Sequence, residues 1–155
     1  MKTKPSGSSP RIEALIQLLR TAETLWNSSR VLFARWDLSP SQFNVLNLLI
    51  EQPEGLSQID LSRALLMHRS NLTGLVDRLE ERGLVKRCDM PDDRRSYRVV
   101  LTPPGRRVMK EILPHYNQAA EAVWGDITVK RVSELNSELA QVCANAERLA
   151  AELNR

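Results

Sequence analysis

The stretch Arg69-Ser-Asn-Leu-Thr-Gly-Leu-Val-Asp-Arg-Leu-Glu-Glu-Arg-Gly-Leu-Val-Lys-Arg87 decides how this chain folds. Leu72, Leu75, Val76 and Leu79 recur at spacings of three and four, which puts them on one face of a helix running from Arg69 to Arg82. Gly83 follows it at the C′ position, where a left-handed backbone ends a helix at little cost. Leu84 to Cys88 then read as a strand, and Tyr97 to Leu101 as a second, with Tyr97, Val99 and Leu101 alternating against Arg98 and Val100. The connection between them, Asp89-Met-Pro-Asp-Asp-Arg-Arg-Ser96, is charged and turn-prone.

Working outward, Ser57 to Met67 carry a shorter helix with Ile59, Leu61 and Leu65 facing inward, joined to Arg69 through a tight turn at Met67 and His68. A short helix, a tight turn, a second helix and a hairpin make a winged helix-turn-helix. The second helix would enter the major groove of double-stranded DNA N-terminus first. Its apolar face uses Leu72, Leu75, Val76 and Leu79, which leaves Arg69, Ser70, Asn71, Thr73 and Gly74 outward, with Arg78 a turn later. Arg forks onto guanine, Asn onto adenine, and Ser or Thr reach phosphates or base edges. Ser57, Gln58 and His68 flank this face and join the expected DNA contacts. A glycine inside a helix costs about 1 kcal/mol against alanine. Gly74 therefore implies either close approach to the DNA backbone or a tight contact with another helix.

The hairpin tip supplies Arg94, Arg95 and Ser96, placed to reach the minor groove. Asp92 and Asp93 beside them would hold an arginine by a bidentate pair. The alternative is a solvated tip whose charges compensate one another.

Upstream, Ile12, Leu15, Ile16, Leu19, Ala22, Trp26, Phe33 and Trp36 predict a long amphipathic helix from Arg11 to Trp36. Ser39-Pro-Ser-Gln42 is a capping box with proline at the first helical position, opening a helix with Phe43, Val45, Leu46, Leu49 and Ile50 inside. Downstream, Thr102-Pro-Pro-Gly105 starts a fifth helix with Met109, Ile112, Leu113, Tyr116, Ala120 and Val123 along one stripe. Gly125-Asp126 breaks the chain. In the last helix Val132, Leu135, Leu139, Val142, Ala146, Leu149 and Leu153 alternate spacings of three and four, a heptad stripe that wants a partner helix. The stripe could be covered within one chain. Two terminal helices that both lack cover favour a symmetric dimer in which Ile12, Leu15, Leu135, Leu139, Val142, Ala146 and Leu149 interlock. The expected organisation is a tail at 1–10, dimerisation helices at 11–36 and 106–155, and a DNA-binding lobe at 38–105.

Composition agrees with this reading. The chain of 155 residues is 42% hydrophobic and 26% charged, with a net charge of +3. Nine basic residues lie between Arg63 and Arg98: Arg63, Arg69, Arg78, Arg82, Lys86, Arg87, Arg94, Arg95 and Arg98. Clustered cations are the footprint of a polyanionic partner, because each neutralised phosphate releases counterions. No apolar run is long enough to span a membrane, and the first residues lack the apolar stretch of a signal peptide, so a cytoplasmic setting is expected. Two cysteines, Cys88 and Cys143, are too few and too distant for a disulfide framework and read as small fillers. His68 and His115 have no ligand partners at metal-binding spacing, so neither a metal nor a cofactor is expected. There is no nucleophile-base set, phosphate loop or carboxylate pair to suggest an enzyme. A winged helix that binds protein without reading DNA stays open, since fold alone does not exclude it.

The segments Ser70 to Arg87 and Asp92-Asp-Arg-Arg-Ser-Tyr-Arg-Val-Val-Leu-Thr-Pro-Pro-Gly105 resemble the MarR (multiple antibiotic resistance regulator) family, and the helix order on both sides agrees over nearly the whole chain. The resemblance implies a homodimer built on the first and last two helices, carrying two winged lobes onto a pseudo-palindromic operator. It implies a repressor, relieved by a small ligand or by oxidation. It maps DNA contacts onto Arg69 to Thr73 and onto Arg94 and Arg95. It also implies a ligand pocket between the dimer helices and the DNA lobe. Trp26, Arg30 and Phe33 lie at i, i+4 and i+7 of the first helix, and with Trp36 and Phe43 they would suit an aromatic carboxylate. The alternative is that the aromatic stripe is ordinary packing with Arg30 exposed or paired.

Overall fold

The computed structural model describes residues 9–90 and 93–154, and residues 90 and 93–96 by their backbone only. Two compact units divide the chain at Leu113/Pro114. In the first unit α1 spans Pro10–Phe33, capped by the Ser9 side chain, and a single 3-10 turn over Ala34–Trp36 follows it. The first helix thus stops three residues before the expected Trp36, because Asp37 takes a left-handed backbone with φ of 53°. The capping box forms as read: the Ser39 hydroxyl accepts from the Gln42 amide, Gln42 Oε1 accepts from the Ser39 backbone N–H, and α2 runs over Pro40–Ile50.

Next come β1 (Leu56–Ser57), α3 (Gln58–Ala64), α4 (Arg69–Glu81), β2 (Val85–Met90) and β3 (Asp93–Leu101). The strands form one antiparallel sheet in the order β1-β3-β2, with Cys88 opposite Arg98 and Val85 opposite Leu101. Two differences from expectation matter. β1 is only two residues long and is held by pairing with Arg98 and Val99, so it carries no pattern of its own. The hairpin extends into the segment expected to be loop, with an irregularity between Asp89 and Met90. Gly83 has φ of 68° and passes the chain from α4 into β2.

The core joins the predicted faces. Phe33, Leu38, Phe43, Val45, Leu46, Leu49, Leu61, Leu72, Val76, Leu79, Val85, Val99, Leu101, Met109 and Ile112 pack in one cluster. Burying a side chain of this size stabilises the fold by about 1.5–3 kcal/mol. Ile59 does not join them: it is 40% exposed, whereas Leu61 and Ser62 turn inward on the same short helix.

α5 (Pro103–Trp124) starts in the first unit and contains Pro114, where the unit boundary falls. Gly105 lets its first turn close on the sheet, since a Cβ there would lie 2.1 Å from the Leu84 carbonyl oxygen. The second unit holds the rest of α5 and α6 (Val129–Leu153), which is capped by Thr128 and buries none of its residues.

Candidate nucleic-acid interface

α4 follows the turn at Leu66 to His68 with His68 as its N-cap residue. Its inner face is the predicted one, since Leu72, Leu75, Val76 and Leu79 are all buried. Arg69, Ser70 and Asn71 are exposed on its first turn, which carries no acidic residue, and Arg78 is exposed further on. Helix N-termini and cations both attract phosphate. A methyl group built on Gly74 would meet nothing closer than the Arg78 guanidinium at 4.0 Å. The helix-contact explanation for this glycine therefore falls away, and open space in front of it remains.

Thr73 and Gln58 are engaged rather than free. Gln58 Nε2 donates to Thr73 Oγ1 at 2.7 Å, and Thr73 Oγ1 donates to the Arg69 carbonyl at 2.9 Å. Tyr97 on β3 donates its hydroxyl to Gln58 Oε1 at 2.8 Å. Ser57, expected as a DNA contact, caps α3 by accepting from the Asp60 amide and donates to its carboxylate. The arginines Arg94 and Arg95, with Ser96, lie on β3, but their side chains are outside the described residues, as is Asp92.

Several of the nine clustered cations do structural work. Arg87 on β2 pairs with Asp77 and Glu80 of α4 and lies 5.1 Å from the centroid of the Tyr97 ring. Partial burial lowers its pKa, but the bonds to Tyr97, Asp77 and Glu80 outweigh this and hold it above the ordinary arginine value. Arg82 donates to the carbonyls of Trp36 and Asp37, and Arg98 to that of Gly55. Arg63, Arg69, Arg78 and Lys86 are exposed and make no ion pair among the described residues. Sequence reading missed Tyr97, Arg87, Asp77, Glu80 and Arg82. Of these Arg82 and Arg87 carried a signal, as cations with no acid four residues away.

The aromatic stripe of α1 divides. Phe33 is 2% exposed and stacks on Phe43 at 4.1 Å between centroids, so both are core. Trp36 is half-buried against that core, and Trp26 is 42% exposed. Arg30 lines an open cavity of about 380 Å³ with Ala34, Asp37, Leu38, Ser39, Pro40 and Gln42. Of the residues expected around a pocket, Arg30 lines this cavity, whereas Phe33 and Phe43 pack in the core. The lobe also exposes Leu66, 78% accessible with φ of 50°.

Ile12, Leu15, Ile16 and Leu19 are exposed on α1, and Leu135, Val142 and Leu149 on α6, where Leu139 is half-buried and Ala146 exposed. Cys88 is half-buried and Cys143 exposed, both as free thiols. Among the described residues no three potential ligands gather at a metal site, and no helix is long and apolar enough to cross a membrane.

A buried-core helix pair presenting a polar helical face, with a hairpin beside it, defines a winged helix-turn-helix transcriptional regulator. The chain belongs to the MarR family. The family's model matches residues 36–96. The HTH-type transcriptional regulator PapX of Escherichia coli is 30% identical over 120 residues, covering 76% of this chain and 73% of PapX. Among solved structures, CouR from Rhodococcus jostii RHA1 bound to p-coumaroyl-CoA is 26% identical with a TM-score of 0.79, covering 88% of this chain and 95% of that one. NadR in complex with 4-hydroxyphenylacetate is 26% identical with a TM-score of 0.73, covering 92% and 97%.

Proposed function

We propose that the chain is a cytoplasmic, homodimeric repressor that binds a pseudo-palindromic DNA operator and is released by a small aromatic acid. The observation that carries the DNA-binding part is the first turn of α4: Arg69, Ser70 and Asn71 are exposed at the positive end of a helix with no acidic residue among them. In this reading α4 enters the major groove, and Arg94 and Arg95 reach the minor groove from the wing. Two protomers are joined through 11–36 and 106–155, which the exposed apolar stripes of α1 and α6 support.

The effector part rests on the cavity beside Arg30. A guanidinium with the polar side chains Ser39 and Gln42 and the apolar Leu38 and Pro40 suits a carboxylate attached to a ring. The ligands named with CouR and NadR, p-coumaroyl-CoA and 4-hydroxyphenylacetate, are phenolic and anionic.

Selection from a random duplex pool, followed by mobility-shift titration at fixed salt, tests the reading. One enriched palindrome is expected, and Arg94→Ala with Arg95→Ala should abolish its binding while leaving the dimer intact. Unchanged affinity would remove the wing from the interface. The second reading, a lobe that binds protein alone, draws on exposed Leu66 and Ile59. Absence of any enriched sequence would favour it.

A further inference from the structure

Tyr97, Gln58 and Thr73 form a chain of hydrogen bonds that runs in one direction, from the wing strand to the backbone of the recognition helix. The Arg69 carbonyl only accepts, so the Thr73 hydroxyl hydrogen is committed to it at 2.9 Å. Thr73 Oγ1 must then accept from Gln58, which presents Nε2 at 2.7 Å. That turns Oε1 of Gln58 toward Tyr97, whose hydroxyl donates at 2.8 Å. Arg87, held by Asp77 and Glu80 of α4, lies over the face of the Tyr97 ring.

A threonine hydroxyl offers one hydrogen and two lone pairs. Here the hydrogen and one lone pair are consumed, and one lone pair remains. In the major groove, guanine O6 and N7 and thymine O4 are acceptors and cannot pair with it. The exocyclic amino groups of adenine and cytosine are donors and can.

We propose that Thr73 is a specificity-determining residue that selects an amino-bearing base, adenine or cytosine, on the strand it faces. Gln58 and Tyr97 are the positioning residues that set its polarity and tie the wing to α4. The inference rests on the DNA-binding reading above and adds the polarity of one contact. It also gives Gln58 a positioning role, with one amide hydrogen given to Thr73 and one oxygen lone pair to Tyr97.

Parallel selections with wild type, Thr73→Val and Tyr97→Phe test this. Wild type should enrich adenine or cytosine over guanine and thymine at one position per half-site, and Thr73→Val should lose the preference at that position alone. Tyr97→Phe deletes one hydroxyl. It should weaken specific binding roughly three- to tenfold and blur the same position. Its non-specific affinity, salt dependence and dimer mass should stay at the wild-type values, whereas a merely structural tyrosine would weaken specific and non-specific binding together. A guanine or thymine preference at the Thr73 position overturns the inference, as does an equal loss of specific and non-specific binding in Tyr97→Phe. If wild type enriches no sequence, the DNA-binding reading fails and takes this inference with it. If it enriches one that Thr73→Val leaves unchanged, this inference alone fails.

Discussion

Arg82, the residue at which α4 ends, donates from its guanidinium to the backbone carbonyl of Asp37, 45 positions earlier in the chain. A second bond of 3.0 Å reaches the carbonyl of Trp36. Arg82 therefore holds closed the left-handed turn between α1 and α2, part of whose wall lines the cavity beside Arg30. The Asp37 carboxylate is 3.9 Å away and almost wholly exposed, so the ion pair itself adds little. Arg82→Ala should lower stability by about 1 kcal/mol, read as an earlier urea midpoint. Asp37→Gly keeps both carbonyls and relaxes the backbone, and should be neutral or slightly stabilising. A larger loss in Asp37→Gly than in Arg82→Ala would reverse the assignment and make the carboxylate the important partner.

Gly74→Ala separates folding from function. With nothing but the Arg78 side chain at 4.0 Å, an added methyl group meets no steric penalty inside the chain. The helix should gain up to about 1 kcal/mol from the better helix former, visible as a raised melting temperature. Operator affinity should fall at the same time, because the methyl occupies space that the DNA backbone needs. Stability and affinity rising together would show that no phosphate approaches this glycine.

Much of the lobe was legible because its determinants are local. Ser39 and Gln42 form their capping box within four residues, Gly83 ends α4, and the 3.6-residue period of Leu72 to Leu79 needs no partner to be seen. The unread parts depend on contacts across long separations. Arg87 finds Asp77 and Glu80 only after the chain reverses at Gly83, and Tyr97 finds Gln58 only when β3 crosses to β1. Ile59 fits an inward pattern on paper, but a helix of seven residues buries only one narrow face, and Leu61 takes it. Nine basic residues in sequence read as one patch, although Arg82, Arg87 and Arg98 are spent on carbonyls and carboxylates.

Phe33 and Trp26 sit two turns apart on α1 and should respond to truncation in opposite ways. Phe33 stacks on Phe43 in the core, so Phe33→Ala leaves a cavity and should cost about 3–5 kcal/mol. Trp26 is 42% exposed within one chain, so Trp26→Ala should shift the stability of the single chain little. Urea unfolding of the two variants checks this. A Phe33→Ala protein as stable as wild type would return that ring to the list of candidate ligand contacts.

Leu139 lies in the middle of the α6 stripe, between Leu135 and Val142 on one side of a helix that buries none of its residues. An aspartate there breaks nothing in the core, which ends at Ile112 along the sequence. If the stripe packs against a second copy, the new carboxylate is buried without a partner, at a cost of several kcal/mol. The dimer dissociation constant should then rise by at least about a hundredfold, since each 1.4 kcal/mol is a factor of ten. Sedimentation velocity of Leu139→Asp should give the mass of one chain, with the circular dichroism of a folded lobe retained. Ser137→Asp, on the face away from the stripe, should sediment as the wild type does. A Leu139→Asp protein that remains a dimer at micromolar concentration would take α6 out of the interface, leaving α1 to supply it.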